Sequence, residues 1–508
     1  MRRFDKFAVP VIALGLITYW VLQRGPSYLS SYFAALEIQA LQDAARLYGG
    51  RFLEYTPRHL HPPLTSALLG LWTQLGDTEK ILRLFPVLCG WGTLVIYISL
   101  LRRKYGLSAA GVAGIFFVVS WGFVVCHVGV LNYGWPLLVS IGMIALYARY
   151  LEKQRTKILV ALGILSTIGI FSNYTTVFLA VAIWGAIGVY DLLNHGRISK
   201  ASVLAALLAI TPAAVWMIWH KRQLPGDTAA YLAPISLGGG DVFTVLMSGT
   251  SHFVVLLFPC EWHWMTGSAP FLAAFGFLLF FGSGPSRWIL LPTAICTIVF
   301  LLASLLMNFP WDTTRHRFPL LALYSLLISD VCIQTLITLR EPVRKHGLSA
   351  VAVFTVAIAC THFFYPDWEA NNSKLRNAND VATWRATLLA DERIVVSDQA
   401  TWDRLSWYIS RKNVSGFHFP LFPEQIHDSL PFRVLLAPVW NFQTKESCKA
   451  VSDLLGEINT YGGWRVTSLA DMADQYGRPS SCIDSRPGAH KWQAPSAFIV
   501  SYNLLYSH

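Results

Sequence analysis

Ionisable side chains are sparse in the first 365 residues of this chain, so those standing beside apolar runs are its candidates for chemistry. Glu37, in Leu36-Glu37-Ile38-Gln39, is a single carboxylate on an otherwise apolar helix face, and Asp43 follows within two turns. His61-Pro62-Pro63-Leu64, then Leu82-Arg83-Leu84-Phe85-Pro86, and much later Arg315-His316-Arg317-Phe318-Pro319 complete the set. A carboxylate held at a membrane surface can take a proton from a reacting hydroxyl, an effect typically of about 10²–10⁴ in rate. Arginine stays charged everywhere and presents a fork of donors that fits phosphate oxygens. Each residue also has a plainer reading. Glu37 can be a solvated helix residue, His61-Pro62-Pro63 a turn before a helix, and Arg83 a headgroup anchor. Glu261-Trp262-His263-Trp264 suggests a metal, but an aromatic belt accounts for its tryptophans.

The elements that must position these groups belong to a membrane protein. Hydrophobic residues make up 54% of the 508 and charged residues only 14%, against about 25% charged in a soluble domain. The deficit ends near Pro366. Residues 366–508 carry 14 Lys+Arg against 15 Asp+Glu, whereas residues 1–365 carry 26 against 14. The overall +11 therefore belongs to the membrane part, and nucleic acid is not its explanation.

Apolar runs long enough to span, or nearly so, fall at about 7–23, 82–101, 109–128, 134–151, 158–172, 174–193, 201–219, 268–283, 288–307, 318–339 and 348–365. A further stretch at about 242–259 reads as interfacial, since counting it would invert everything downstream. Met1-Arg2-Arg3 precedes the first run, but Val21-Leu22-Gln23-Arg24 offers no small-residue cleavage site, so the run is read as a helix rather than a leader. Alternate connections carry Arg102-Arg103-Lys104, Lys153 to Lys157, Arg197 with Lys200, Arg287, and Arg340 to Lys345. With these inside, the N-terminus is cytoplasmic and residues 366–508 lie outside.

Two outer connections are long, 24–81 and 220–267. The first reads as amphipathic helices, with Leu36, Ala40, Ala44, Leu47 and Tyr48 on one face, then Leu64, Leu68, Leu71, Trp72 and Leu75 on another after Pro62-Pro63. Such segments lie in the headgroup layer and wall a cavity. Arg24, Arg46, Arg51, Arg58, Lys80, Arg83, Lys221 and Arg222 stand in or beside these loops, on the side where basic residues are normally few. They ask for an anionic partner such as a lipid phosphate or pyrophosphate, unless loops of this length simply escape the rule. Beyond 366, strands are expected at 393–396, 432–437, 464–467 and 498–504, with helices at 402–411 and 448–459 between them. Six of the eight cysteines sit in or beside apolar runs as fillers, leaving Cys448 and Cys482 able to pair.

The order of these motifs resembles the membrane glycosyltransferases of the C-type (GT-C) fold, in particular the dolichyl-phosphate-mannose protein mannosyltransferases and the aminoarabinose transferases. The carriers are Leu36-Glu37, His61-Pro62-Pro63-Leu64 and Leu82-Arg83-Leu84-Phe85-Pro86. Arg102-Arg103-Lys104-Tyr105-Gly106 matches the basic inner turn, and Leu131-Asn132-Tyr133 with Tyr147-Ala148 the fourth-helix region. Ser172-Asn173-Tyr174-Thr175 matches a short polar turn, and Arg315-His316-Arg317-Phe318-Pro319 the start of a late helix. One departure is chemical: the family has an acidic pair, and its Asp, the residue given the base role, is here Leu36.

The resemblance implies a polytopic α-helical membrane protein of about 11 transmembrane helices, GT-C-like over 1–365, with a small α/β soluble domain at 366–508. It implies a sugar moved from a polyprenyl-phosphate donor, with inversion, to a lipid, protein or glycan acceptor on the outer face of a bacterial inner membrane. Glu37 is the expected base, with Asp43 as the alternative, and Arg83 with Arg315 or Arg317 the expected clamp on the leaving phosphate. His61 is a further candidate. No resident cofactor is implied, and a divalent metal is the one addition the chemistry admits. The partners are the lipid-linked sugar, the acceptor and membrane lipids. A catalytically inactive scaffold, which Leu36 would explain, is the runner-up, followed by a flippase of lipid-linked glycan. A flippase would show an internal repeat and mid-membrane charges, and the sequence displays neither clearly.

Overall fold

The computed structural model describes residues 4–23, 40–47 except 42 and 46, 62–127 except 77, 129–130, 133–223, 287–307, 317–338, and five strands beyond 392. The described helices belong to one compact unit and the strands to a second.

The helical unit contains α1 (Phe4–Gln23), α2 (Pro63–Trp72), α3 (Glu79–Tyr105), α4 (Leu107–Val119), α5 (Trp121–His127), α6 (Gly134–Lys153), α7 (Thr156–Ser172), α8 (Thr176–His195), α9 (Lys200–Gln223), α10 (Arg287–Met307) and α11 (Phe318–Thr338). Among the described residues, Glu79–Tyr105, Gly134–Lys153, Thr176–His195 and Lys200–His220 are each long and apolar enough to cross a membrane. At 1.5 Å per residue α3 reaches roughly 40 Å, beyond the ~30 Å of a hydrocarbon core. Nine of the eleven expected runs fall on described helices; 268–283, 348–365 and the stretch at 242–259 lie outside the described residues.

One buried core runs through the bundle, from α1 and α3 to α11. Val9, Ala13, Ile17 and Trp20 make one buried stripe on α1, while Phe7, Val11 and Leu14 face outward. Tyr97 of α3 stacks on Phe117 of α4 with ring centroids 4.4 Å apart, and Trp20 meets Phe123 edge to face at 6.2 Å. Gly106 ends α3 in a positive-φ conformation (85°) that costs a side-chain residue energy, and its N–H reaches Arg102 O at 2.9 Å.

One expectation is corrected. The run 109–128 is not one helix but two, α4 and α5, separated at Ser120, whose backbone is extended (ψ 140°). The Ser120 hydroxyl donates to Phe117 O at 2.7 Å and accepts the Phe123 N–H at 3.3 Å, so it caps one helix while closing the other. Apolar content carries no trace of such a local competition. α2 begins at Pro63, as Pro62-Pro63 implies; Thr65, Ser66, Leu69 and Gly70 turn inward, while Leu71 and Leu75 are 58% and 64% exposed. An outward leucine is well solvated by lipid, which leaves room for Thr65 and Ser66 on the protein side.

The second unit holds a five-stranded sheet of β1 (Arg393–Val396), β2 (Val414–Gly416), β3 (Phe432–Leu436), β4 (Trp464–Ser468) and β5 (Phe498–Tyr502), in the order β2-β1-β3-β5-β4. β1 runs parallel to β2 and β3, whereas β5 is antiparallel to β3 and β4. Val395 pairs with Val434 and Val434 with Val500, which sets valines side by side across three strands. Four strands lie where the sequence reads strand; β2, three residues ending in Gly416, carries too short a pattern to read. The expected helices at 402–411 and 448–459, and Cys448 and Cys482, lie outside the described residues.

Candidate functional site

The candidate residues are carried by the ends of helices. Pro62 is extended and Pro63 opens α2, where its missing N–H costs nothing. At the far end of α2 the Trp72 indole N–H donates to Ile81 O at 2.8 Å, and its ring lies 5.8 Å from that of Phe85. These two contacts clamp the first turns of α3, and Arg83 stands between them in sequence, buried at 4% exposure. Arg317 precedes Phe318 at the start of α11 and is fully enclosed. An arginine keeps its charge when enclosed, so it must be surrounded by acceptors or an anion.

A polar network determines how α3 and α11 run. Lys104 Nζ lies 2.9 Å from Asp330 Oδ1, and the Tyr105 hydroxyl donates to the same oxygen at 2.5 Å. Gln334 donates to the Tyr105 hydroxyl at 2.7 Å, and higher up Tyr97 donates to Ser325 O at 3.0 Å. Later residues of α3 therefore face later residues of α11, and the two helices are parallel. Counting back from the Lys104–Asp330 pair, Arg83 is 21 residues and Arg317 thirteen residues away. At the α-helical rise those are roughly 32 and 20 Å along the bundle, so both arginines sit at the end opposite Asp330 and roughly 10 Å apart in depth.

The same end carries a second set of contacts. Thr65 of α2 donates to Ser172 O at 2.9 Å, and Trp135 of α6 donates to the Ser172 hydroxyl at 2.9 Å. Asn173 Oδ1 accepts the backbone N–H and the hydroxyl of Thr175 at 3.1 and 2.9 Å, an Asx-type turn joining α7 to α8. Asn173-Tyr174-Thr175 also spells a glycosylation acceptor triplet, but Asn173 is 2% exposed and serves the turn. Tyr174 packs on α9: the Trp216 indole donates to its hydroxyl at 3.0 Å, and that hydroxyl bonds His220 Nδ1. Trp216, Tyr174 and His220 thus form one polar chain that ties the turn after α7 to α9.

Asp43 lies on a helical stretch of the same unit and is buried. Glu37, His61 and Arg315 lie outside the described residues, as do Asn132 and the Glu261–Trp264 motif. His127 is fully buried, and its Nδ1 meets Phe123 O of its own helix at 2.9 Å. No cluster of metal-ligating side chains occurs among the described residues.

The sequence reading missed the partners of two lone acids. Asp330 is one. Asp191 of α8 is the other, accepting from Ser199 N at 3.1 Å, the Ser202 hydroxyl at 2.8 Å and the Tyr150 hydroxyl at 3.2 Å. A single aspartate inside an apolar run is itself a signal that a partner exists, but spacing does not name it.

By its likeness to solved structures the chain has the GT-C glycosyltransferase fold. Residues 60–219 match the family described as dolichyl-phosphate-mannose-protein mannosyltransferase. The crystal structure of ArnT from Cupriavidus metallidurans bound to undecaprenyl phosphate is similar with a TM-score of 0.60 at 12% identity, over 97% of this chain and 98% of that one. The same protein in its apo state gives 0.56 at 13% identity, over 89% and 95%. No curated protein sequence matches the chain significantly.

Proposed function

We propose that the chain is a glycosyltransferase that moves a sugar from a polyprenyl-phosphate donor to an acceptor on the outer face of a bacterial inner membrane. The observation that carries this reading is the burial of Arg83 and Arg317 at one end of two parallel helices, the end opposite the basic connections around Lys104. Arginines fixed in a site poor in water stabilise charge developing on a leaving phosphate far better than they would in bulk solvent. That a similar fold has been seen with undecaprenyl phosphate supports a polyprenyl phosphate as the lipid here.

In this mechanism a carboxylate, Glu37 or else Asp43, takes the proton of the acceptor hydroxyl as its oxygen attacks the anomeric carbon. The bond from that carbon to the phosphate oxygen breaks on the opposite face, which inverts the configuration. The polyprenyl phosphate leaves with the bonding electron pair, and Arg83 with Arg317 or Arg315 holds it. His61 lies in the same long connection, 24–81, as Glu37 and Asp43 and is a candidate for orienting the acceptor. The mechanism asks nothing of a metal; a divalent ion, if bound, would add positive charge beside the leaving phosphate. The sugar-free alternative, an inactive scaffold of the same fold, is favoured by Leu36, since a leucine cannot abstract a proton.

The test is transfer of label from a panel of polyprenyl-phosphate sugars, by native protein and by Glu37→Gln and Asp43→Asn variants shown to be folded and inserted. Product from one donor with the native chain, lost in one carboxylate variant, is the expected result. Equal transfer by both variants removes both carboxylates from the reaction. A native protein that binds polyprenyl phosphate yet consumes no donor makes the scaffold reading the better one.

A further inference from the structure

A groove of about 400 Å³ opens between α8 and α9, lined by Trp184, Gly188, Val189 and Leu192 on one side and Ile198 and Ala206 on the other. That volume is within the range of small-molecule sites, roughly 300–1,000 Å³. It exists because the two helices, although consecutive, pack on different partners: α8 lies chiefly against α10, and α9 chiefly against α7. The gap between them is left open by small residues. A Cβ placed on Gly188 would meet only Ile198 Cδ1, at 3.7 Å. Val189, Leu192 and Ile198 are exposed, so the groove faces the surroundings of the bundle rather than its core.

Its depth and its rim identify what fills it. From Leu192 to Trp184 along α8 the groove runs roughly 12 Å, close to one leaflet of a ~30 Å hydrocarbon core. Its shallow end is the connection that carries Arg197 and Lys200, both exposed. The Gln154 side chain donates to the Tyr190 hydroxyl at 2.8 Å, which brings the α6–α7 connection with Lys153, Arg155 and Lys157 to the same end. Against these five cations the described residues there offer exposed Glu152 and Asp191, and Asp191 is buried with its oxygens engaged by Ser199, Ser202 and Tyr150. Basic pockets between spanning helices on this side of a bilayer suit anionic headgroups.

We propose that this groove is a binding site for an anionic glycerophospholipid of the inner leaflet, with one acyl chain between α8 and α9 and its phosphate at Arg197 and Lys200. The site lies at the opposite end of the bundle from Arg83 and Arg317, so it does not depend on the transfer reaction. One-leaflet depth favours an acyl chain over a long polyprenyl chain.

The experiment is native mass spectrometry of the full chain released from nanodiscs of equal phosphatidylglycerol and phosphatidylcholine. The native protein should retain phosphatidylglycerol at least tenfold over phosphatidylcholine. Gly188→Leu, which fills the groove while leaving every charge in place, should lose the retained lipid. The Arg197→Gln/Lys200→Gln pair should lower the preference by up to about thirtyfold at low salt, as expected for two basic residues near a membrane surface. Equal retention of both lipids by the native chain overturns the proposal. So does retention of phosphatidylglycerol by folded Gly188→Leu, or displacement of the lipid by added polyprenyl phosphate. If Gly188→Leu does not fold, the charge-neutral pair decides, and an unchanged preference there is equally fatal.

Discussion

Replacing Asp330 should loosen the pairing of α3 with α11, and the cost can be worked out from its contacts. Asp330 is wholly buried and its Oδ1 takes two bonds from α3, one from Lys104 and one from Tyr105. Interhelical hydrogen bonds in membrane proteins contribute about 0.6 kcal/mol each on average and up to about 1.7. Both bonds here go to a charged acceptor, which places them toward the upper figure, so removing both predicts a loss of about 2–3 kcal/mol. The loss is limited on one side. Lys104 is 34% exposed, so without its partner it can turn its ammonium to water rather than remain stranded. Asp330→Ala should therefore destabilise by about 2 kcal/mol, roughly a thirtyfold shift in the unfolding equilibrium. Asp330→Asn, which keeps the shape and one acceptor, should cost about half that. The assay is reversible unfolding in bicelles, with a double-mutant cycle against Lys104→Met and an expected coupling of about 1 kcal/mol. An Asp330→Ala effect under about 0.5 kcal/mol, or strict additivity in the cycle, would refute the claim that this pair holds the two helices in register.

Arg83→Gln and Arg317→Gln should each lower the transfer rate by about 10²–10³ while the protein remains inserted, as measured by single-turnover kinetics with a labelled donor. Loss of insertion in both would mean that they serve the fold alone. Gly169→Ala should destabilise by about 1–3 kcal/mol, because the new Cβ would lie 2.6 Å from Thr176 Cγ2 and 3.2 Å from Val139 Cγ1. Gly185→Ala, whose nearest neighbour would be Ile295 at 3.5 Å, should be neutral or stabilise slightly through helix propensity, and thermal melts of the two separate the cases. Expressed in a glycosylating secretory system, the chain should carry no glycan on Asn173, since that residue is buried and holds its own turn. A mass shift abolished by Asn173→Gln would contradict this.

Much of the helical layout was legible because it follows from solvation. A run of apolar residues that long has to be enclosed in lipid or protein, and the charged connections between runs mark where chains leave the bilayer. Hence the runs at 82–101, 134–151, 174–193 and 201–219 coincide with α3, α6, α8 and α9. Pro62-Pro63 announced the start of α2 for an equally local reason, and four of the five strands followed from short β-branched and aromatic runs. The resemblance of short motifs pointed to the fold, which a structure of 12% overall identity shares.

What the sequence alone determined, then, is which segments leave water and where the chain turns. Which side of each segment meets protein was decided only in three dimensions. In water an apolar stripe marks the buried face, but in a bilayer both surroundings are apolar, so periodicity cannot tell lipid from core. That is why the apolar spacing after Pro63 did not disclose that Leu71 is exposed while Thr65 takes the contact to Ser172. The break at Ser120 depends on one hydroxyl bonding two backbone groups, and no hydropathy pattern registers it. The common end occupied by Arg83 and Arg317 rests on Lys104 and Tyr105 finding Asp330 more than two hundred residues away. Such pairings are set by how whole helices pack, and the chain has to be folded before they exist.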